Sequence, residues 1–306
     1  MRAVWSFWSK PYRVHRHLAW ASDIHHLLSW VLSVETARQH YSETALITDD
    51  QGARMLVDGI GLPFSEVSTA LNALQDHDPA WWSIGKIYAY RVQTKPFIHI
   101  DSDVYLWKRL NSVLESADVL AQNEEPFRSD ESCYYPGEFE REARATPGTW
   151  LPREWLWYRS AGRPQRGVCC GIVGGNRVDF LAYYASLSVH LLEHPPNSVC
   201  WRRLGRRICS SLLFEQYLLA ACLDYHRHRP SSPFSDIGLK CLFDTASAAY
   251  QPEVSAAAGY THLLAEAKRD EKLSRRLEQR VLREYPVYYD RCVRYVETQT
   301  PNIVRA

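Results

Sequence analysis

Between positions 97 and 103 the chain reads Phe-Ile-His-Ile-Asp-Ser-Asp, an apolar run ending in two carboxylates one residue apart. Alternation along an extended strand sends Ile98 and Ile100 to one side and His99, Asp101 and Asp103 to the other, so Asp101 and Asp103 can converge on one cation. Oxygen-rich sites of this kind suit Mn2+ or Mg2+. Such an ion can bridge two phosphates and neutralise the charge that grows on a leaving diphosphate. Asp-x-Asp also occurs in plain surface turns, and the apolar lead-in is what favours a site here.

The surrounding elements must place this pair. Arg2 to Phe7 reads as a first buried strand, closed by a loop at Ser9-Lys10-Pro11, with a helix from Trp20 to Gln39 that Ser22 or Asp23 can cap. Thr44 to Asp50 is a second strand ending in carboxylates. A helix from about 51 to 60 and a short strand around Val67 follow, and Asp78-Pro79 opens a helix through Trp81, Ile84, Ile87 and Tyr88 that leads into the strand at 96–101. Strands alternating with helices predict an α/β fold with a mainly parallel central sheet flanked by helices, and such sheets bind ligands beyond the carboxyl ends of their strands. Residues 124–164 show little periodicity and read as an irregular insertion or lid. Val168 to Asn176 is a strand running into a turn, followed by helices through Phe180, Tyr183 and Tyr184 and through Leu212 to Ala220. Leu263 to about Glu284 reads as a charged amphipathic helix on the outside. The expected organisation is a catalytic domain over 1–270 and a C-terminal helical extension over 271–306.

Composition narrows the partners. With 36 Lys and Arg against 35 Asp and Glu in 306 residues, the net charge of +1 gives no electrostatic case for nucleic acid. Arg202, Arg203, Arg206 and Arg207 have the spacing of a solvated helix face. No run approaches the roughly 20 apolar residues of a membrane helix, and the chain opens on a strand-like run rather than a signal core, so a cytoplasmic location is expected. The eight cysteines contain no C-x-x-C pair, which argues against a zinc ribbon or redox motif.

Two segments carry a family resemblance. Gly85-Lys86-Ile87-Tyr88-Ala89-Tyr90 followed by Pro96 to Asp103 resembles the helix and strand preceding the metal site of GT-A glycosyltransferases, particularly the glycogenin and galactosyltransferase-like group. In that group a later His joins the two carboxylates on Mn2+, and His262 with Lys268 is similar to the group's His-x5-Lys element. The Pro-Trp that follows this Lys in the group is replaced here by Arg269-Asp270. The resemblance implies a GT-A-like nucleotide-diphospho-sugar transferase fold, with Asp101, Asp103 and His262 as metal ligands and Lys268 on the diphosphate. It also implies Lys86 and Ser102 beside the donor, Trp5, Phe7 and Asp49 bordering the nucleotide, and Gly174-Gly175-Asn176 as a small-residue turn near donor sugar and acceptor. The glycines are equally explained as a tight turn needing positive φ. Glu215-Gln216 resembles an acidic-Gln element, in which Gln216 lies under the anomeric carbon of a retaining enzyme, whereas an inverting enzyme could use Glu215 as general base. Adjacent helical side chains cannot aim at one point. The whole chain also resembles a family of uncharacterised bacterial proteins of this length.

The expected function is metal-dependent transfer of a sugar from a nucleotide-sugar, a UDP-sugar above all, to a glycan, peptide or small-molecule hydroxyl. The alternatives are a non-catalytic nucleotide-sugar-binding or scaffold protein and a nucleotidyltransferase. The last expects a Gly-rich loop after the first strand, and Ser6 to Pro11 has no Gly.

Overall fold

The structure, a computed structural model, describes residues 1–127 and 133–299. Residues 128–132 of the expected insertion and 300–306 of the expected extension lie outside the described residues. The strands are β1 (Arg2–Phe7), β2 (Thr44–Thr48), β3 (Glu66–Ser68), β4 (Phe97–Ile100), β5 (Val104–Leu106), β6 (Val119–Pro126), β7 (Arg166–Gly175), β8 (Leu239–Cys241) and β9 (Tyr260–His262). Seven form one sheet in the order β3-β2-β1-β4-β7-β6-β8, and β5 pairs with β9 beside it. The first four strands of that order are parallel. β7 runs antiparallel to both its neighbours, and β8 is parallel to β6.

Both faces of the sheet are covered, which is why its strands read as nearly unbroken apolar runs rather than alternating ones. Val4, Ala45, Ile47 and Phe97 belong to one core, with helices Ile84–Arg91, Val178–Glu193 and Leu218–Arg227. Ala3, Trp5, Leu46, Ile98 and Ile100 belong to the other, with helix Asp23–Arg38 and the C-terminal pair Glu271–Glu284 and Pro286–Gln299.

Several elements differ from expectation. The loop expected at Ser9-Lys10-Pro11 is the first turn of helix Ser9–Ala19, where the missing proline N–H is harmless. The helix expected from Asp78 begins only at Ile84. Before it the chain makes hydrogen-bonded turns, Trp81 N to Asp78 O at 3.1 Å and Ile84 N to Trp81 O at 3.0 Å. The expected irregular insertion contains the end of β6 and two helices, Gly137–Ala145 and Arg153–Ser160, whose Phe139, Trp155 and Tyr158 enter the core. These helices are short and their few apolar residues sit among Glu and Arg, so no period shows in the sequence. The helix expected from Leu263 is instead a 3-10 turn, Ala265–Arg269, and then a helix capped by the Asp270 carboxylate, which accepts from Leu273 N at 2.9 Å.

The reversal of β7 decides the place of Gly174 and Gly175. Asp101 N donates to Gly171 O at 2.9 Å, whereas Gly174 pairs with Ile98 and Gly175 with Phe97, at the opposite end of β4. Gly174 therefore lies roughly 10 Å along the strand from the carboxylate end, and the donor-side role expected of the Gly174-Gly175-Asn176 turn is corrected. The glycines have a packing cause: a Cβ on Gly174 would lie 2.0 Å from the Phe97 carbonyl oxygen, and Gly175 has φ +137 with a Cβ position 2.1 Å from Asp118 O. Asn176 closes the turn by donating to Glu115 O and Ala117 O. Gly174→Ala should accordingly lower unfolding free energy by roughly 2–3 kcal/mol, read as a reduced urea midpoint. An unchanged midpoint would show that the β4–β7 approach is not tight.

Candidate metal centre

The carboxylates converge through a turn rather than by strand alternation. β4 ends at Ile100, and Val104 N donates back to Asp101 O at 3.0 Å, which folds Asp101-Ser102-Asp103 into a turn. Helix Asp23–Arg38 holds that turn by its backbone: Ser29 Oγ donates to Ser102 O at 2.7 Å and Ser33 Oγ to Asp101 O at 3.1 Å. Trp5 Nε1 donates in turn to Ser33 Oγ at 2.9 Å and is fully buried, so Trp5 supports the turn and does not border a ligand, contrary to expectation. Ser102 contributes its carbonyl to the same anchorage.

β9 brings in the third group. The β5–β9 register sets His262 opposite Val104, and Leu263 N donates to Asp103 O at 3.0 Å. Ligand atoms of Asp101, Asp103 and His262 all lie within 4.8 Å of one another. His262 Nε2 is 3.4 Å from Asp103 Oδ1, and Lys268 Nζ is 2.5 Å from Asp103 Oδ2. Burial pushes the Asp103 carboxyl up, but the Lys268 ammonium outweighs it and holds Asp103 well below the usual carboxylate range. Between His262 and Lys268, Ala265 adopts φ +44, a region that L-residues visit at a cost on the order of 1 kcal/mol.

Lys86 is buried beneath Asp101. Its ammonium lies 3.0 Å from Asp101 Oδ2, 3.1 Å from Cys170 O and 2.6 Å from Glu215 Oε1. Its hydrogen bonds to Asp101 and the Cys170 carbonyl and its ion pair with Glu215 engage it inside the protein, so it positions Asp101 rather than reaching toward a donor. Burial alone would lower the Lys86 pKa, yet Asp101 and Glu215 raise it above the ordinary value and keep it charged. His99 lies on the carboxylate face as expected, its Nδ1 3.7 Å from Asp101 Oδ1 and its Nε2 2.9 Å from Ser6 Oγ, and burial, aided by Lys86, keeps it neutral.

The remaining expected residues are dispersed. Asp49 caps the next helix, accepting from Gly52 N at 2.7 Å and from Ser9 N and Oγ at 2.9 and 2.8 Å, so its oxygens are spent on structure. Phe7 packs against Tyr12, His26 and Trp30 at the end of β1. Glu215 and Gln216 diverge from the π-helical turn Leu213–Tyr217: Glu215 faces Lys86, while Gln216 Oε1 lies 2.8 Å from the Tyr134 hydroxyl. Residues not anticipated are Ser29 and Ser33, Gln122, Gly171 and Tyr260. Their signals were present as two serines four apart within an apolar helix and as a Gln and a Gly interrupting apolar strands.

The cluster sits beyond the carboxyl ends of β1 and β4, the point where the order β3-β2-β1-β4 reverses direction and where open α/β sheets bind their ligands. Over residues 1–295 the sequence matches the family described as "Family of unknown function (DUF6734)". The chain belongs to this family. No match is found among curated proteins. The matched span runs through the C-terminal helices as well as the sheet.

Glu215 offers a test of this electrostatic arrangement. Burial lifts its carboxyl from 4.5 to about 7, against the pull of Lys86. A carboxyl raised in the folded state contributes stability that is full below its unfolded pKa and is lost as pH rises through the folded one. Between pH 5 and pH 8 the wild type should therefore lose on the order of 2–3 kcal/mol relative to Glu215→Gln. Urea denaturation at the two pH values measures this, and parallel pH dependence in the two proteins would show Glu215 to be ionised throughout.

Proposed function

We propose that the chain is a metal-dependent glycosyltransferase with a GT-A-like fold, moving a sugar from a nucleotide-diphospho-sugar, a UDP-sugar by preference, to an acceptor hydroxyl of a glycan, peptide or small molecule. The observation that carries this reading is the convergence of Asp101, Asp103, His262 and Lys268, from separate elements, at the point where the strand order reverses. The donor set fits Mn2+ or Mg2+: two carboxylates and an imidazole whose other nitrogen, Nδ1, is engaged by Gln122 at 2.7 Å. A bound ion would neutralise the charge that develops on a departing nucleoside diphosphate.

The chain's own residues divide the remaining work. Lys86 fixes Asp101, and Ser29 and Ser33 fix the turn. Lys268 faces Asp103 in the absence of ligand and is free to turn its charge to a phosphate once that carboxylate is otherwise engaged. Gln216 Oε1 accepts from the Tyr134 hydroxyl, which also meets Glu125, and Tyr134 lies in the segment preceding β7. Glu215, wholly buried and held by Lys86, is poorly placed to serve as an inverting base. Its eight unpaired thiols suit a reducing compartment, which supports a cytoplasmic location. Among the described residues no helix is long and apolar enough to cross a membrane.

One observation favours a second reading, a scaffold that keeps the fold without the chemistry: Lys86 and Lys268 already neutralise Asp101 and Asp103. A thermal-shift titration separates the two. UDP with Mn2+ should raise the melting temperature by about 5 °C at saturation, and UDP without metal should not. Stabilisation by no nucleoside diphosphate in the presence of metal would leave the scaffold reading. Asp103→Ala should retain the fold and lose the metal-dependent shift, and a retained shift would remove Asp103 from the site. His262→Ala should weaken Mn2+ more than Mg2+, because imidazole is the softer ligand. Equal losses would exclude direct coordination.

A further inference from the structure

We propose that Gln122 is a positioning residue that fixes the tautomer of His262, and that it makes the Asp101–Asp103–His262 cluster a site for Mn2+ in preference to Mg2+. The inference deepens the metal-dependent reading above and rests on it. Gln122 lies on β6, buried at 1% exposure. Its Oε1 is 2.7 Å from His262 Nδ1 and 2.6 Å from the Tyr260 hydroxyl. A carbonyl oxygen only accepts, so both neighbours donate to it and the neutral imidazole carries its proton on Nδ1.

Nε2 is then a bare lone pair directed at the carboxylates. Its separation from Asp103 Oδ1 is 3.4 Å, well beyond the about 2.7–2.9 Å of a charge-assisted N–H···O bond. A lone pair facing carboxylate oxygens is repulsive alone and becomes attractive with a cation between them. Imidazole nitrogen is bound more readily by Mn2+ than by Mg2+, which prefers oxygen and retains its waters.

β7 completes the arrangement by leaving room. A Cβ on Gly171 would lie 2.4 Å from Gln122 Oε1 and 2.5 Å from His262 Nδ1, so the contact exists only because residue 171 has no side chain. Gln122, Gly171 and Tyr260 come from β6, β7 and β9, and together they hold one ring in one orientation. Gln122 itself would not touch the ion.

The test uses the full chain labelled with 15N-histidine, free of metal at pH 8, with the His262 signals assigned by their loss in His262→Ala. Long-range proton–nitrogen correlation should show Nδ1 protonated and Nε2 bare. In Gln122→Leu the proton should redistribute to Nε2, where Asp103 accepts it, and Mn2+ affinity read by electron paramagnetic resonance should fall about 10- to 100-fold with a smaller change for Mg2+. Gln122→Glu, which keeps the acceptor oxygen, should restore both tautomer and affinity. A wild-type proton on Nε2, an unchanged Mn2+ affinity in Gln122→Leu, or failure of Gln122→Glu to rescue would each overturn the proposal. Since these readouts use metal alone, Gln122-dependent Mn2+ binding with no effect of UDP would spare this inference and remove the transferase reading. Mn2+-dependent UDP binding indifferent to Gln122 would do the reverse.

Discussion

The Lys86 ammonium, buried beneath the sheet's carboxyl end, joins the end of β4 through Asp101, β7 through the Cys170 carbonyl, and the π-helical turn through Glu215. A buried ammonium left unpaired costs several kcal/mol, so these three acceptors are conditions of its burial rather than embellishments. Their combined pull keeps Lys86 charged where burial alone would discharge it. The orientation of Asp101 follows, since Oδ2 is committed to Lys86 while Oδ1 lies 3.7 Å from His99 Nδ1. A pair of carboxylates that would merely repel in a surface turn is thereby given fixed positions beside His262.

The sequence discloses the chemistry of this cluster better than its supports. Asp101 and Asp103 were legible because an apolar strand delivers them, and His262 because its spacing to Lys268 resembles a known element. The strand-and-helix alternation of the first hundred residues likewise predicted the parallel half of the sheet. What failed was whatever depends on strand direction or on burial of a single side chain. Gly174 and Gly175 read as a ligand turn until β7 proved antiparallel, and no local pattern announces that reversal. The family resemblance implied Trp5 and Asp49 beside the nucleotide, yet their polar atoms are spent on Ser33 and on a helix cap. Ser29, Ser33 and Gln122 act through atoms 68 or more residues distant, which periodicity cannot convey.

The C-terminal helices belong to the same structural logic. Helix Glu271–Glu284 packs on helix Asp23–Arg38, the helix whose serines hold the carboxylate turn. Arg291 donates to Ile60 O at 3.1 Å, and Gln39 Nε2 donates to the Tyr285 hydroxyl at 3.2 Å, tying the C-terminal pair to the turn at Ile60 and to the end of helix Asp23–Arg38. By these contacts the C-terminal region packs as an outer wall behind the turn.

The reversal of β7 has one further consequence. Because β6 runs toward the crevice and β7 runs away from it, the chain between them leaves and re-enters the sheet at the same rim, next to the carboxylate turn. Helices Gly137–Ala145 and Arg153–Ser160 are hung from that rim, with Tyr134 reaching back to Glu125 and Gln216. These helices are anchored by Phe139, Trp155 and Tyr158 in the core, while the connections at the far end of β7 are locked by backbone contact at Gly174 and Gly175. The fold thus separates a carboxylate-bearing floor, held by backbone contacts, from a canopy held by side-chain packing.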